Sequence, residues 1–114
     1  MSEKENLSAE TCIPCSGGAA PMAIPEALKL LENLDKGWSI NSVGHLERVV
    51  LLKNFAQSIK LAVSIGEVAD NQGHHPDLQV SYGKLGIEIW THKINGLSRA
   101  DFVLAAKLDA LISQ

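Results

Sequence analysis

Between Leu78 and Thr91 the chain alternates apolar and polar residues twice, as Leu78-Gln-Val-Ser-Tyr82 and Leu85-Gly-Ile-Glu-Ile-Trp-Thr91, with Gly83-Lys84 marking a break between the runs. A period of two sends successive side chains to opposite faces of a strand, and a glycine-bearing break between two such runs folds them back antiparallel. The stretch therefore predicts a β-hairpin. On its second strand Leu85, Ile87, Ile89 and Thr91 share one face, and Gly86, Glu88, Trp90 and His92 share the other. A sheet with one aliphatic face needs a cover, so the rest of the chain must supply helices.

Two segments before this hairpin and one after it have the patterns to do so. From Pro25, a residue suited to a first turn, Ala27, Leu28, Leu31 and Leu34 recur at helical spacing and predict a short helix to about Leu34. Gly37 to Ile40 and His45 to Leu52 read as two strands around the turn residues Asn41-Ser42-Val43-Gly44, a second hairpin. Asn54 to Asn71 predicts a long amphipathic helix ending near Gly73, with Phe55, Ile59, Ala62, Val63, Gly66 and Ala69 on one side. Ser98 and Asp101 have capping-box spacing, and Phe102, Ala105, Leu108, Leu111 and Ile112 continue a helical face to the end. The order α-β-β-α-β-β-α predicts an α+β two-layer sandwich, with a four-stranded antiparallel sheet and helices on one face. Open sheet edges make a homo-oligomer the expected assembly.

Residues 1–23 carry Pro14, Gly17-Gly18 and Pro21 and no periodic apolar face, so they predict a flexible N-terminal arm before a domain at 24–114. Cys12 and Cys15, a single C-x-x-C, offer half a zinc site or a redox pair, and without a second such pair they read as reduced thiols in that arm. With 10 basic against 13 acidic residues and a net charge of −3, the chain has no positive field for phosphate backbones, which argues against direct nucleic-acid binding. The longest aliphatic run, Val49 to Leu52, falls far short of the about 20 residues of a membrane span. The acid-bearing start lacks the features of a secretory signal, so the expected location is cytoplasmic.

The chemistry points to His74, His75 and His92. His74-His75-Pro76 follows the long helix, and His92 closes the last strand; antiparallel pairing makes those two places neighbours at the open end of the hairpin. Imidazoles exchange protons near neutrality and also bind metals. Adjacent histidines diverge in a strand or a helix, and neither H-E-x-x-H nor H-x-H occurs, which favours acid/base work over a metal site. Pro76 disfavours helical geometry at His75 and stops the helix there. Asp70, one turn before His74, is placed to approach an imidazole, while Asp101 serves as helix cap, site residue or both. The bland alternative is a set of surface loop histidines, and His45 stands without an acidic or histidine companion at useful spacing.

The ordered set Asp70-Asn-Gln-Gly-His74-His75-Pro76-Asp77, Tyr82, Trp90-Thr91-His92, Gly96-Leu97-Ser98, Asp101 and Ala105-Ala106-Lys107-Leu108-Asp109 resembles the pterin-4a-carbinolamine dehydratase family. The resemblance covers about residues 24 to 112, with Gly37-Trp38 at the first strand, and Cys12-x-x-Cys15 with Gly17-Gly18 resembles the leader of many bacterial members. It implies the same four-stranded fold assembled as a homodimer or homotetramer. It also implies a lyase that dehydrates 4a-hydroxytetrahydrobiopterin to quinonoid dihydropterin and water, recycling the pterin used by aromatic amino acid hydroxylases, with no metal or organic cofactor.

By the same resemblance His74 and His92 match the acid/base histidines, His75 the one that mainly holds the pterin, and Asp70, Pro76, Thr91 and Asp101 the supporting positions. Asp70 stands where animal members have glutamate, and Gly73 and Leu78 replace an aspartate and a tryptophan of the animal pattern. Two rival roles go with the family: a non-catalytic pterin-binding or dimerisation cofactor that supports transcription factors, and a paralogue acting on a molybdopterin-related compound.

Overall fold

A computed structural model describes residues 6–12 and 20–114. Helix α1 (Ile24–Leu31) leads through a loop to β1 (Ser39–Ile40) and β2 (Leu46–Leu51). Helix α2 (Phe55–Gln72) precedes the hairpin β3 (Asp77–Ser81) and β4 (Lys84–Ile89), and α3 (Arg99–Ile112) follows. All strands pair antiparallel in the order β1-β2-β4-β3, so the two expected hairpins join along β2 and β4, from Leu46↔Ile89 to Leu51↔Lys84. The fold is the α+β sandwich that the element order predicts, with the sheet's aliphatic face against the helices.

Alternation decides which face is covered. Leu46 and Val50 on β2 and Leu85, Ile87 and Ile89 on β4 are buried, whereas Glu47, Val49 and Leu51 on β2 point away from the helices and are exposed. Ile65 of α2 and Phe102, Leu104 and Leu108 of α3 complete the core, each fully buried side chain contributing about 1.5–3 kcal/mol. Beneath the sheet Asp109 accepts from Trp38 Nε1 at 2.7 Å and the Asp35 amide at 2.8 Å, and pairs with Arg48. That network ties the first hairpin to α3.

Three expectations shift. Trp38 leaves the first strand because its ring is buried and its indole N–H is taken by Asp109, which leaves β1 only two residues. The buried stripe of α2 is Ser58, Ile65 and Ala69; of the expected side Ala69 is buried and Ala62 partly so, while Phe55, Ile59 and Val63 are exposed, so the helix is turned away from the expected face. The described part of the N-terminal segment also differs from a free arm. Leu7 and Cys12 belong to the core cluster, Glu10 holds Arg99, Lys107 donates to the Ser8 carbonyl, and the Met22 amide donates to the Leu97 carbonyl. A Cβ on Gly96 would meet Pro21 at 2.6 Å, so only glycine admits that approach.

Cys12 is buried, with Sγ 3.6 Å from the Ala100 carbonyl and its amide donating to Gln72 Oε1, and burial raises its thiol pKa above the ordinary value. Cys15 lies outside the described residues. Among the described residues no helix is long and apolar enough to cross a membrane.

Candidate functional site

Helix α2 ends where its sequence runs into Gly73, which takes the left-handed conformation at φ 65° and caps the helix through the Ala69 and Asp70 carbonyls. The next three residues, His74-His75-Pro76, link α2 to β3, and Pro76 keeps the link extended. Within it the two imidazoles part. His74 turns in, with 17% of its side chain exposed and Nε2 2.6 Å from Asp101 Oδ1. His75 turns out, Nε2 3.0 Å from Asp70 Oδ1, in a pair with 60% and 82% of the two side chains exposed. Asp70, though shorter than glutamate, does reach an imidazole, and it is that of His75.

Asp101 is the centre of the inner group. It sits at N3 of α3, shows no exposed surface, and forms the expected capping box with Ser98. Its Oδ2 accepts the Ser98 amide and the Thr91 hydroxyl, both at 2.8 Å, while Oδ1 faces His74. Thr91 Oγ1 also lies 2.8 Å from Ser98 Oγ; a hydroxyl has one proton, so Thr91 gives its own to Asp101 and receives that of Ser98. A carboxylate only accepts, which assigns the His74 proton to Nε2 and leaves Nδ1 as the acceptor nitrogen of the neutral ring. No buried side-chain nitrogen or oxygen among the described residues lacks a partner.

His92 stands apart from the strand expected to hold it. Strand β4 stops at Ile89, Thr91 bridges to Gly96, and His92 opens a one-turn 3-10 helix, His92–Ile94, closed by Asn95 in the left-handed region at φ 49°. Its ring is exposed and meets Trp90 edgewise, centroids 4.2 Å apart and planes at 65°. The structure thus joins His74, Thr91 and Asp101 directly, Asp70 to His75, and His92 to the group through its neighbours Trp90 and Thr91. Pro76 is half-buried in the link. Among the described residues no hydrogen bond joins His92 to His74 or His75, and no three His, Cys, Asp or Glu side chains gather in a way that could hold a metal ion.

Two participants escape sequence reasoning. Ser98 orders Thr91 and Asp101 besides capping its helix. His45 has companions after all: Nδ1 lies 2.7 Å from Glu88 Oε2, and its ring stacks on Trp90 at 4.0 Å with 2° between planes. Hydrogen bonds from His45, and then from Asn41, hold the Glu88 carboxyl below its ordinary pKa. The signal existed in the alternation, which puts Glu88 and Trp90 on one face of β4; only the register Leu46↔Ile89 brings His45 beside them.

Residues 20–111 match the family model described as pterin 4 alpha carbinolamine dehydratase. A protein of Rickettsia canadensis (strain McKiel), named "Putative pterin-4-alpha-carbinolamine dehydratase", is 44% identical over 106 residues, spanning 93% of this chain and 97% of its own. One of the same name from Rickettsia bellii (strain OSU 85-389) is 46% identical over 106 residues, 93% of this chain and 94% of its own. A crystal structure of a transcriptional coactivator/pterin dehydratase from Brucella melitensis superposes with a TM-score of 0.73 over 80% of this chain and 97% of that one; at 24% identity the likeness is one of fold. On the family model and these relatives, the chain belongs to the pterin 4 alpha carbinolamine dehydratase family.

Proposed function

We propose that this chain dehydrates a 4a-hydroxytetrahydropterin by histidine acid/base catalysis. The observation that carries the reading is the convergence of His74 and Thr91 on the buried Asp101 carboxylate, in a member of this family. Loss of water from the carbinolamine breaks the C4a–O bond and the N5–H bond and forms C4a=N5. Hydroxide leaves readily only when an acid protonates it while a base takes the N5 proton, so the proton balance needs two groups that titrate near neutrality.

His74 and His92 fill those roles. Asp101 holds His74 through Nε2 and stabilises the imidazolium if that ring takes a proton, and Thr91 fixes the residue before His92 to the same carboxylate. His75, steadied by Asp70 and turned outward, holds the pterin, with Pro76 setting the link. The product is quinonoid dihydropterin, and the place of the reaction is the recycling of the pterin spent by a hydroxylase. No metal or organic cofactor enters this scheme, and the cytoplasm is its compartment.

A second reading, protein binding, is favoured by the exposed apolar stripe Phe55, Ile59 and Val63 on α2. A stripe at i, i+4 and i+8 suits a helix-to-helix contact, with a second copy in a homodimer or homotetramer or with another protein. The deciding experiment follows dehydration of freshly generated 4a-hydroxytetrahydropterin by its ultraviolet change, wild type beside His74→Ala. Acceleration that falls about 100-fold or more in the variant supports catalysis. No acceleration by the wild type overturns it and moves the function to binding.

A further inference from the structure

The exposed His92 ring is held by no hydrogen bond among those of the described residues, yet an acid/base group works only when its ring is fixed against the reacting atoms. Its backbone is set by the Thr91–Gly96 bridge. Its side-chain torsions are limited by Trp90, the ring it meets at 4.2 Å and 65°. Trp90 can do this only if it is itself held. It is only half-buried where it packs against the hydrophobic core, so the core does not enclose the ring and a further contact is needed to fix it.

His45 supplies the clamp. Its ring lies flat on Trp90 at 4.0 Å, and its Nδ1 is fixed 2.7 Å from Glu88 Oε2. Asn41 braces both ends, donating to Glu88 Oε2 at 3.0 Å while its own Oδ1 accepts the Val43 and His45 amides at 3.2 and 3.0 Å. The stack runs from a self-bonded turn before β2, across β4, to the residue just after Thr91. We propose that His45 is a positioning residue for His92, acting through Trp90: stacking by His45 fixes Trp90, and Trp90 fixes the imidazole. This rests on the reading of His92 as an acid/base group. Removing the clamp lets both rings turn, which lowers the fraction of time His92 spends in the productive geometry and leaves pterin binding by His75 alone.

The test reads His92 directly. In wild type the ring Cε1–H and Cδ2–H signals of His92, assigned by carbon-13 NMR, are displaced by the Trp90 ring current. His45→Ala should move them at least halfway toward their positions in Trp90→Ala, and should lower kcat about three- to tenfold with KM changed by less than about twofold. His45→Phe, which keeps a flat ring on Trp90, should restore the signals. In the Trp90→Ala background, His45→Ala should add nothing. If His45→Ala fails to fold, Glu88→Gln loosens the same clamp and is read the same way.

His92 signals unmoved in His45→Ala, or moved as far without Trp90 as with it, would overturn the proposal. The spectra need no turnover: a wild type that fails to accelerate dehydration sinks the acid/base reading, whereas unmoved His92 signals in an active enzyme sink the positioning role alone.

Discussion

Asp101→Asn is the substitution whose outcome the geometry fixes most tightly. The variant keeps shape and volume but replaces one carboxylate oxygen by an NH2. Oδ2 accepts two donors, the Ser98 amide and the Thr91 hydroxyl, whereas Oδ1 meets the one nitrogen that can change its role, His74 Nε2. An NH2 at the Oδ2 position would face a backbone N–H that cannot become an acceptor, leaving a buried donor unmatched at a cost of about 1–3 kcal/mol. The amide therefore turns its oxygen to Ser98 and Thr91 and its NH2 to His74. Nε2 must then accept, which moves the imidazole proton to Nδ1, the acceptor nitrogen of the wild-type ring.

Two consequences follow, of different size. Stability falls modestly, because three charge-assisted bonds become neutral ones; at roughly 1 kcal/mol each, less the relief of uncharging a buried group, the loss is about 2 kcal/mol, a drop in Tm of about 10 °C. Turnover falls by about 10²- to 10⁴-fold, since the wrong tautomer presents a proton where a lone pair is needed and the imidazolium loses its counter-charge. Nitrogen-15 NMR of the histidine rings identifies the tautomer, thermal melting reads stability, and the ultraviolet assay reads the rate. A variant that still carries the proton on Nε2, or turns over within about threefold of wild type, would refute the assignment of His74 through Asp101.

Asp109→Ala should be a stability variant: it leaves Arg48, whose side chain is 12% exposed, with only Asp35 at 3.6 Å and strands the buried Trp38 indole, so we expect a loss of about 2–3 kcal/mol by urea unfolding, and a loss under about 1 kcal/mol would contradict the network. His75→Ala removes an exposed hydrogen-bonded contact with Asp70 that adds little stability, so Tm should stay within a few degrees while KM rises more than kcat falls; equal falls in kcat and kcat/KM with KM unchanged would refute its holding role. Glu88 is held below its ordinary 4.5, so its contribution is fully present above that pH and is lost as the pH falls through the lower folded value. Unfolding of wild type and Glu88→Gln, compared at roughly pH 6 and pH 3, should show the difference between them shrinking in acid; a constant difference would mean that the His45 and Asn41 bonds do not act on that carboxyl.

What the sequence made legible follows from the range of the signal. Alternation and helical period act over neighbouring residues, so the hairpin β3–β4, the end of α2 at Gly73 and the cap at Ser98 and Asp101 were readable, and with them the placing of His74, Asp101 and Thr91. Ambiguity entered where one local pattern admits two tertiary answers. Helix α2 carries Phe55-Ile59-Val63 and Ser58-Ile65-Ala69 on different sides, and hydrophobicity alone centres the face on the first; the structure buries the second, with Leu61, Ala62 and Val68 partly buried beside it. The Cys12 segment misled similarly: composition predicted a flexible arm, but Leu7 and Cys12 join the core cluster, and the 3-10 turn Leu7–Ala9 packs against α3.

His45 marks the remaining limit. The nearest acid in the chain on the same outer face, Glu47, lies across from Glu88, and it is Glu88 that His45 meets. The His45–Glu88 hydrogen bond spans 43 positions and depends on β2 pairing with β4 in one register. A one-residue slip would send Glu88 and Trp90 to the buried face and leave His45 without either. That register is set by the core, where Leu46, Val50, Leu85, Ile87 and Ile89 must all face the helices together. The same aliphatic side chains that close the hydrophobic layer therefore determine which polar groups meet on the other side of the sheet, and a substitution that disturbs their packing should reach His92 through Trp90 without touching any residue of the site.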